Sequence, residues 1–170
     1  MTQVIPLLIL LVLADTSAAP PAAERPFDIE TQKPGDKVTV ALDGETALVS
    51  IRSPSGIGGA TIRSPRDHWP TKVILRLHLR GLESLSVSNG TLGLKGSIAS
   101  HGGYAQRLYL TKQGQVEKVK PKTEIRVLDA DGKPIAGRPG EGGYFEITLP
   151  SVLLEGKPKS LTIGWIDFFR

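Results

Sequence analysis

The sequence predicts an all-β fold, an antiparallel β-sandwich of Ig-like or jelly-roll-like type with about nine or ten short strands and at most one short helical turn. Three observations carry that expectation. Short runs of Val, Ile and Leu alternate with polar residues at period two. The 19 glycines and 13 prolines interrupt those runs at short intervals. No stretch sustains the 3.6-residue apolar period of an amphipathic helix. A chain of 170 residues is long enough to bury one sizeable core.

The amino-terminal block Val4–Leu13, "VIPLLILLVL", ends at Ala14-Asp15 and is followed by the small residues Thr16-Ser17-Ala18-Ala19. That order reads as the apolar and cleavage regions of a secretory signal peptide spanning 1–18, cut after Ala18. The block is about half the roughly 20 apolar residues a membrane-spanning helix needs. A secreted or periplasmic chain with no membrane span after cleavage is therefore expected. No Lys or Arg precedes Arg25, so the amino terminus supplies the positive charge of the signal. The absence of cysteine excludes disulfides, a thiolate nucleophile, a cysteine zinc site and a lipid-modified cysteine. Cleavage would remove Asp15 alone among charged residues and leave a net charge of +5, one above the full chain's +4. Such a mild excess suits an anionic polysaccharide or another envelope protein as partner and falls short of a nucleic-acid-binding domain.

Residues 19–35, "APPAAERPFDIETQKPG", lack a helical stripe and read as a Pro/Ala-rich linker, with a single sandwich domain over 36–170. Within it, Val38, Val40 and Leu42 alternate against Lys37, Thr39 and Ala41, and Ala47, Val49 and Ile51 against Thr46, Leu48, Ser50 and Arg52, with Asp43-Gly44 turning between the two runs. Val73, Leu75, Leu77 and Leu79 form the clearest half-buried strand, with Lys72, Ile74, Arg76, His78 and Arg80 on its other face. Asn89-Gly90 predicts a two-residue type I′ turn pairing Ser88 with Thr91, Val87 with Leu92 and Leu85 with Leu94. Asn89-Gly90-Thr91 is also a glycosylation sequon, which the turn accounts for. Further strands are expected at 104–111, 123–128, 144–149 and 161–168, a helical turn at Ser151–Glu155, and an exposed charged connection at 114–122.

Two pieces, "VLDADGKPIAG" (Val127–Gly137) and "GGYFEITLP" (Gly142–Pro150), resemble the strand-turn-strand units of secreted Ig-like and transthyretin-like bacterial modules. The resemblance covers these pieces only. It implies a β-sandwich used for adhesion, scaffolding or ligand binding, with no catalytic residues to carry over.

The chemical candidates are few. "SPSGIGGATIRSPRDHW" (Ser53–Trp69) has Gly56, Gly58 and Gly59 but Thr61 where a dinucleotide loop needs its last glycine, and no G-K-[ST] follows. It is expected to be a sheet corner. Asp67-His68 beside Ser53, Ser55 and Ser64 invites a hydrolase reading, but no G-x-S-x-G elbow exists. His68, His78 and His101 lack metal-site spacing. Asp129, Asp131, Glu141 and Glu146 are scattered carboxylates, suited to a glycosidase only if the fold pairs them. The basic face holding Lys72, Arg76, His78 and Arg80, joined by Tyr109, Arg107 and Trp69, suits an anionic glycan through charge and ring stacking. The simpler account is a charged strand that resists aggregation. The expectation is an exported, non-catalytic binding or structural module without cofactor or metal. Its candidate binding residues are Trp69, Arg76, His78, Arg80 and Tyr109. The alternatives are an anionic-glycan-binding domain and a hydrolase or metal-dependent enzyme built on Asp67 and His68.

Overall fold

In a computed structural model the described residues are 26–97, 107–112, 115–116, 123 and 125–167. The expected signal peptide at 1–18, His101, most of the charged connection at 114–122 and the ends of the strands expected at 104–111 and 161–168 lie outside them.

Strands β1 (Asp28–Thr31), β2 (Lys37–Asp43), β3 (Thr46–Arg52), β4 (Ile57–Arg63), β5 (Lys72–His78), β6 (Ser84–Ser88), β7 (Leu92–Ser97), β8 (Arg107–Lys112), β9 (Gln115–Val116), β10 (Ile125–Leu128), β11 (Tyr144–Thr148) and β12 (Ser160–Ile166) make two sheets. A four-residue helix, α1 (Val152–Glu155), interrupts them where the helical turn is expected. One sheet runs β1-β4-β12-β6-β7-β8-β9, the other β10-β11-β5-β3-β2. Their inward faces share one core, with Val49, Ile51, Leu75, Leu77 and Phe145 from the five-stranded sheet and Ile62, Leu85, Leu94, Ile163 and Trp165 from the seven-stranded sheet, all 2% exposed or less. Each fully buried Leu or Ile contributes about 1.5–3 kcal/mol of transfer free energy. The chain is thus a two-layer β-sandwich.

Two differences from the expected strand map bear on the site. First, the glycine-rich run is a strand. Gly58 and Gly59 sit inside β4, between β1 and β12. A Cβ on Gly58 would lie 2.5 Å from Trp165 Cζ2, and one on Gly59 2.6 Å from the Gln32 side chain. These glycines admit side chains from neighbouring segments, and only Gly56, just before the strand, has positive φ. Second, β4 carries the chain from one sheet to the other and back, so β3 and β5 end up adjacent and parallel, with Arg52 opposite His78. Every other pairing of named strands is antiparallel. In addition, β1 falls within the stretch read as linker and edges the seven-stranded sheet through β4.

The hairpin at Asn89-Gly90 forms one residue further along. Ser88 pairs with Gly93 and Val87 with Leu94, and Asn89 N–H donates to Leu92 O at 3.0 Å, so Gly90-Thr91 are the two loop residues. Gly90 alone has positive φ, at 96°, whereas a type I′ turn needs two such residues. Asn89 is instead held by its side chain, which accepts from the Thr91 and Leu92 N–H groups and donates to Leu153 O.

Candidate functional site

A cavity of about 740 Å³ opens at the end of the sandwich where β3 and β5 finish side by side. The parallel pairing brings the last residues of both strands, Arg52 and His78, to its edge. Leu79 and Arg80 continue the wall past β5, and the loop Arg138–Gly143 closes the opposite side. The turn ahead of this loop is set by Asp129, whose carboxylate accepts from the Asp131 and Lys133 N–H groups at 2.9 Å. Gly143 must stay a glycine for the loop to close, because a Cβ would lie 2.7 Å from Leu128 O. Beyond β5 the backbone is pinned by buried Asp167, whose two carboxylate oxygens accept from Arg80 N–H at 2.9 Å and Gly81 N–H at 3.0 Å. That clamp also shapes a smaller recess of about 280 Å³, which Ser53, His78, Arg80 and Asp167 share.

The cavity is cationic. Arg52, Arg80 and Arg138 line it against the single carboxylate of Glu141. Among the described residues, neither Arg52 nor Arg80 pairs its guanidinium with a carboxylate. His78 is half-buried beside them, its ring 5.2 Å from that of Tyr144, and its Nδ1 is buried with no hydrogen-bond partner among the described residues. Its pKa is held below the ordinary histidine value, first by burial, then by the Arg52 and Arg76 charges, with a hydrogen bond to the Gly143 backbone opposing. A neutral imidazole with an unmet polar nitrogen therefore stands among guanidinium groups. An anion entering the cavity would meet those charges and favour the protonated ring.

Next to the cavity, Arg76 is engaged differently. Its Nε donates to Glu146 Oε2 at 3.0 Å and its guanidinium lies 5.0 Å from the Tyr144 ring centroid, a cation-π contact. Arg126 donates to the other Glu146 oxygen at 3.4 Å. Glu146 is thus shared by two arginines.

Of the residues the sequence singles out for binding, the structure brings His78 and Arg80 to the cavity and Arg76 to the adjoining sheet face. Trp69 goes elsewhere. It is 1% exposed, packs 4.9 Å from Phe27 and donates Nε1–H to Ile62 O, so its ring is core and offers no stacking platform. Tyr109 lies on β8, in the other sheet. Arg52, Arg138 and Glu141 complete the cavity. Arg52 follows the alternation of β3, but its meeting with His78 depends on the parallel pairing.

Asp67 and His68 belong to a loop occupied with its own closure. Ser64 Oγ donates to His68 O, His68 Nδ1 pairs with Trp69 O at 2.7 Å, and Trp69 N–H donates to Pro158 O. In the smaller recess, Ser53 Oγ donates to Asp36 at 2.7 Å and Asp167 holds backbone N–H groups, so no hydrogen-bonded Ser-His-Asp chain forms among the described residues. No group of three or more His, Asp or Glu suited to a metal occurs among the described residues. No helix among them is long and apolar enough to cross a membrane.

Fold and cavity together define a two-sheet β-sandwich with a cationic pocket at one end. Compared with protein-family models, curated proteins and solved structures, the chain matches none.

Proposed function

We propose that the protein is an exported, non-catalytic binding module whose end cavity takes a carboxylate or sulfate group of an anionic ligand. The observation that carries this reading is the convergence of Arg52, Arg80 and Arg138 on one cavity with His78 Nδ1, which has no hydrogen-bond partner among the described residues. Guanidinium groups bind planar oxyanions through paired N–H donors. Among the described residues, Arg52 and Arg80 have no carboxylate partner to give up first, which lowers the cost of binding. The expected export of the chain places it among surface polysaccharides and envelope proteins, where such groups are common.

Isothermal titration calorimetry with galacturonate and with inorganic sulfate tests the reading. Arg52 and Arg80 are exposed, so the double variant Arg52→Ala/Arg80→Ala is expected to fold normally. It should lose at least about tenfold in affinity, since two charge-assisted contacts disappear. Equal affinity in the double variant, or no heat with either anion, would overturn the assignment.

A further inference from the structure

The cavity does not end the cationic surface. The outer face of the five-stranded sheet continues it as rows of side chains crossing the strands. Lys37 on β2 is in register with Arg52 on β3, which is in register with His78 on β5. Tyr144 on β11 follows, its ring against that of His78. Strands lie about 4.8 Å apart, so the backbone distance from Lys37 to His78 is about 10 Å and that to Tyr144 about 14 Å. A second row runs beside the first: Thr39, Ser50, Arg76, Glu146 and Arg126, in register strand by strand. All of these face away from the core, because Val38, Val49, Leu75, Leu77 and Ile147 occupy the alternate, inward positions. Lys37 and Arg52 are exposed.

We propose that the cavity is one end of a longer binding track, and that the ligand is a linear carboxylated or sulfated polysaccharide lying across the strands from the cavity toward Lys37. This deepens the anion-binding reading above and rests on it. A single small anion needs only the cavity. Beyond cavity-lining Arg52, Lys37 offers one further cation a strand's width away, which suits a chain carrying repeated negative charge. Thr39 and Ser50, in the second row beside Lys37 and Arg52, add hydroxyls, donors and acceptors that fit sugar hydroxyls. A single-stranded nucleic acid would need aromatic faces for its bases. The two rings in these rows are Tyr144, 7% exposed and covered by Arg76 and His78, and half-buried His78, packed against Tyr144, so the rows offer no aromatic platform for successive bases.

Binding of oligogalacturonates from monomer to octamer, measured by calorimetry at low and at physiological salt, tests the track. Affinity should rise at least about tenfold from monomer to octamer, with a steeper salt dependence for the octamer. Lys37→Ala removes an exposed charge outside the cavity, so the fold should persist. It should weaken the octamer about fivefold while leaving the monomer within about twofold. Flat affinity along the series, with monomer binding intact, would overturn the track and leave the cavity assignment standing. Failure of every oligomer, monomer included, would remove both. An oligothymidylate of matched charge binding as tightly as the octamer would overturn the polysaccharide assignment, because charge alone would then explain the affinity.

Discussion

Replacing Gly58 by alanine separates a structural from a ligand-binding account of the glycine-rich run. The added Cβ would sit 2.5 Å from Trp165 Cζ2, beside the Asp36 carboxylate. Ordinary carbon contacts are about 3.5–4.0 Å, so the indole must retreat by about 1 Å. It has little room to do so, because Trp165 is 2% exposed and its strand lies between β4 and β6. Overpacking of this kind costs about 1–3 kcal/mol, and a rigid ring places it at the upper end, about 3 kcal/mol. Removing a mid-strand glycine recovers roughly 0.5 kcal/mol of backbone entropy, leaving a net loss of about 2.5 kcal/mol. For a domain of this size that lowers Tm by about 5–10 °C. Gly156→Ala is the control, since no described atom lies within 4 Å of its added Cβ and its φ is −73°; its Tm should rise by about 1–4 °C and not fall. Thermal melts followed by circular dichroism and tryptophan fluorescence read both. A G58A protein that melts with the wild type and keeps its tryptophan spectrum would refute the close-approach argument. A phosphate loop, by contrast, would lose ligand with no loss of stability.

Two further outcomes follow from the cavity. The folded-state pKa of His78 is lowered, so the unfolded chain takes up the proton first as pH falls. Stability is therefore full above the ordinary histidine value and declines below it until the folded-state pKa is reached. The ring faces Arg52 on β3, Arg76 on its own strand, Tyr144 on β11, and the Arg80, Arg138 and Glu141 side chains around the cavity, so cations outnumber carboxylates. His78→Gln should flatten the fall in Tm between about pH 7.5 and pH 5; a slope equal to that of the wild type would refute the assignment. Asp167→Ala strips the buried acceptor from the Arg80 and Gly81 N–H groups and should cost about 3 kcal/mol, with anion affinity falling because Arg80 is no longer anchored. Urea titration measures the first effect and calorimetry the second, and unchanged values in both would remove Asp167 from the account.

Alternation made the core legible. The strand from Val73 to Leu79 and the run Leu161-Ile163-Trp165 each present one unbroken apolar face, and their inward residues are 5% exposed or less. The glycine-rich strand was not legible, because period two needs side chains and Gly58 and Gly59 have none. Its inward positions read Gly58, Ala60 and Ile62, a face that shrinks to fit the Trp165 ring. Four-residue β1 contains one aliphatic residue, Ile29, too little for any pattern. The Asn89-Gly90 pair marked a tight turn correctly but not its centre, because Asn89 spends its side chain on Thr91, Leu92 and Leu153 and leaves positive φ to Gly90 alone.

The site was less legible than the core for a related reason. Alternation reports which face a residue takes but not which strand lies beside it. Arg52 and His78 fall on the outward faces of β3 and β5, yet they meet only because β4 crosses to the other sheet and makes the two strands parallel neighbours. An antiparallel β3–β5 pair would set Arg52 against the opposite end of β5 and scatter the charges. The same crossover accounts for the fate of Trp69. The loop that returns the chain from β4 to β5 must close over the core, and it does so with the indole, packed on Phe27 and bonded to Ile62 O. The ring that looked suited to stacking on a sugar thus helps close the crossover that assembles Arg52 and His78. On the proposed anion-binding reading, recognition at this end of the sandwich rests on charge and hydroxyl groups, which makes salt concentration, more than ring substitution, the decisive variable in a binding experiment.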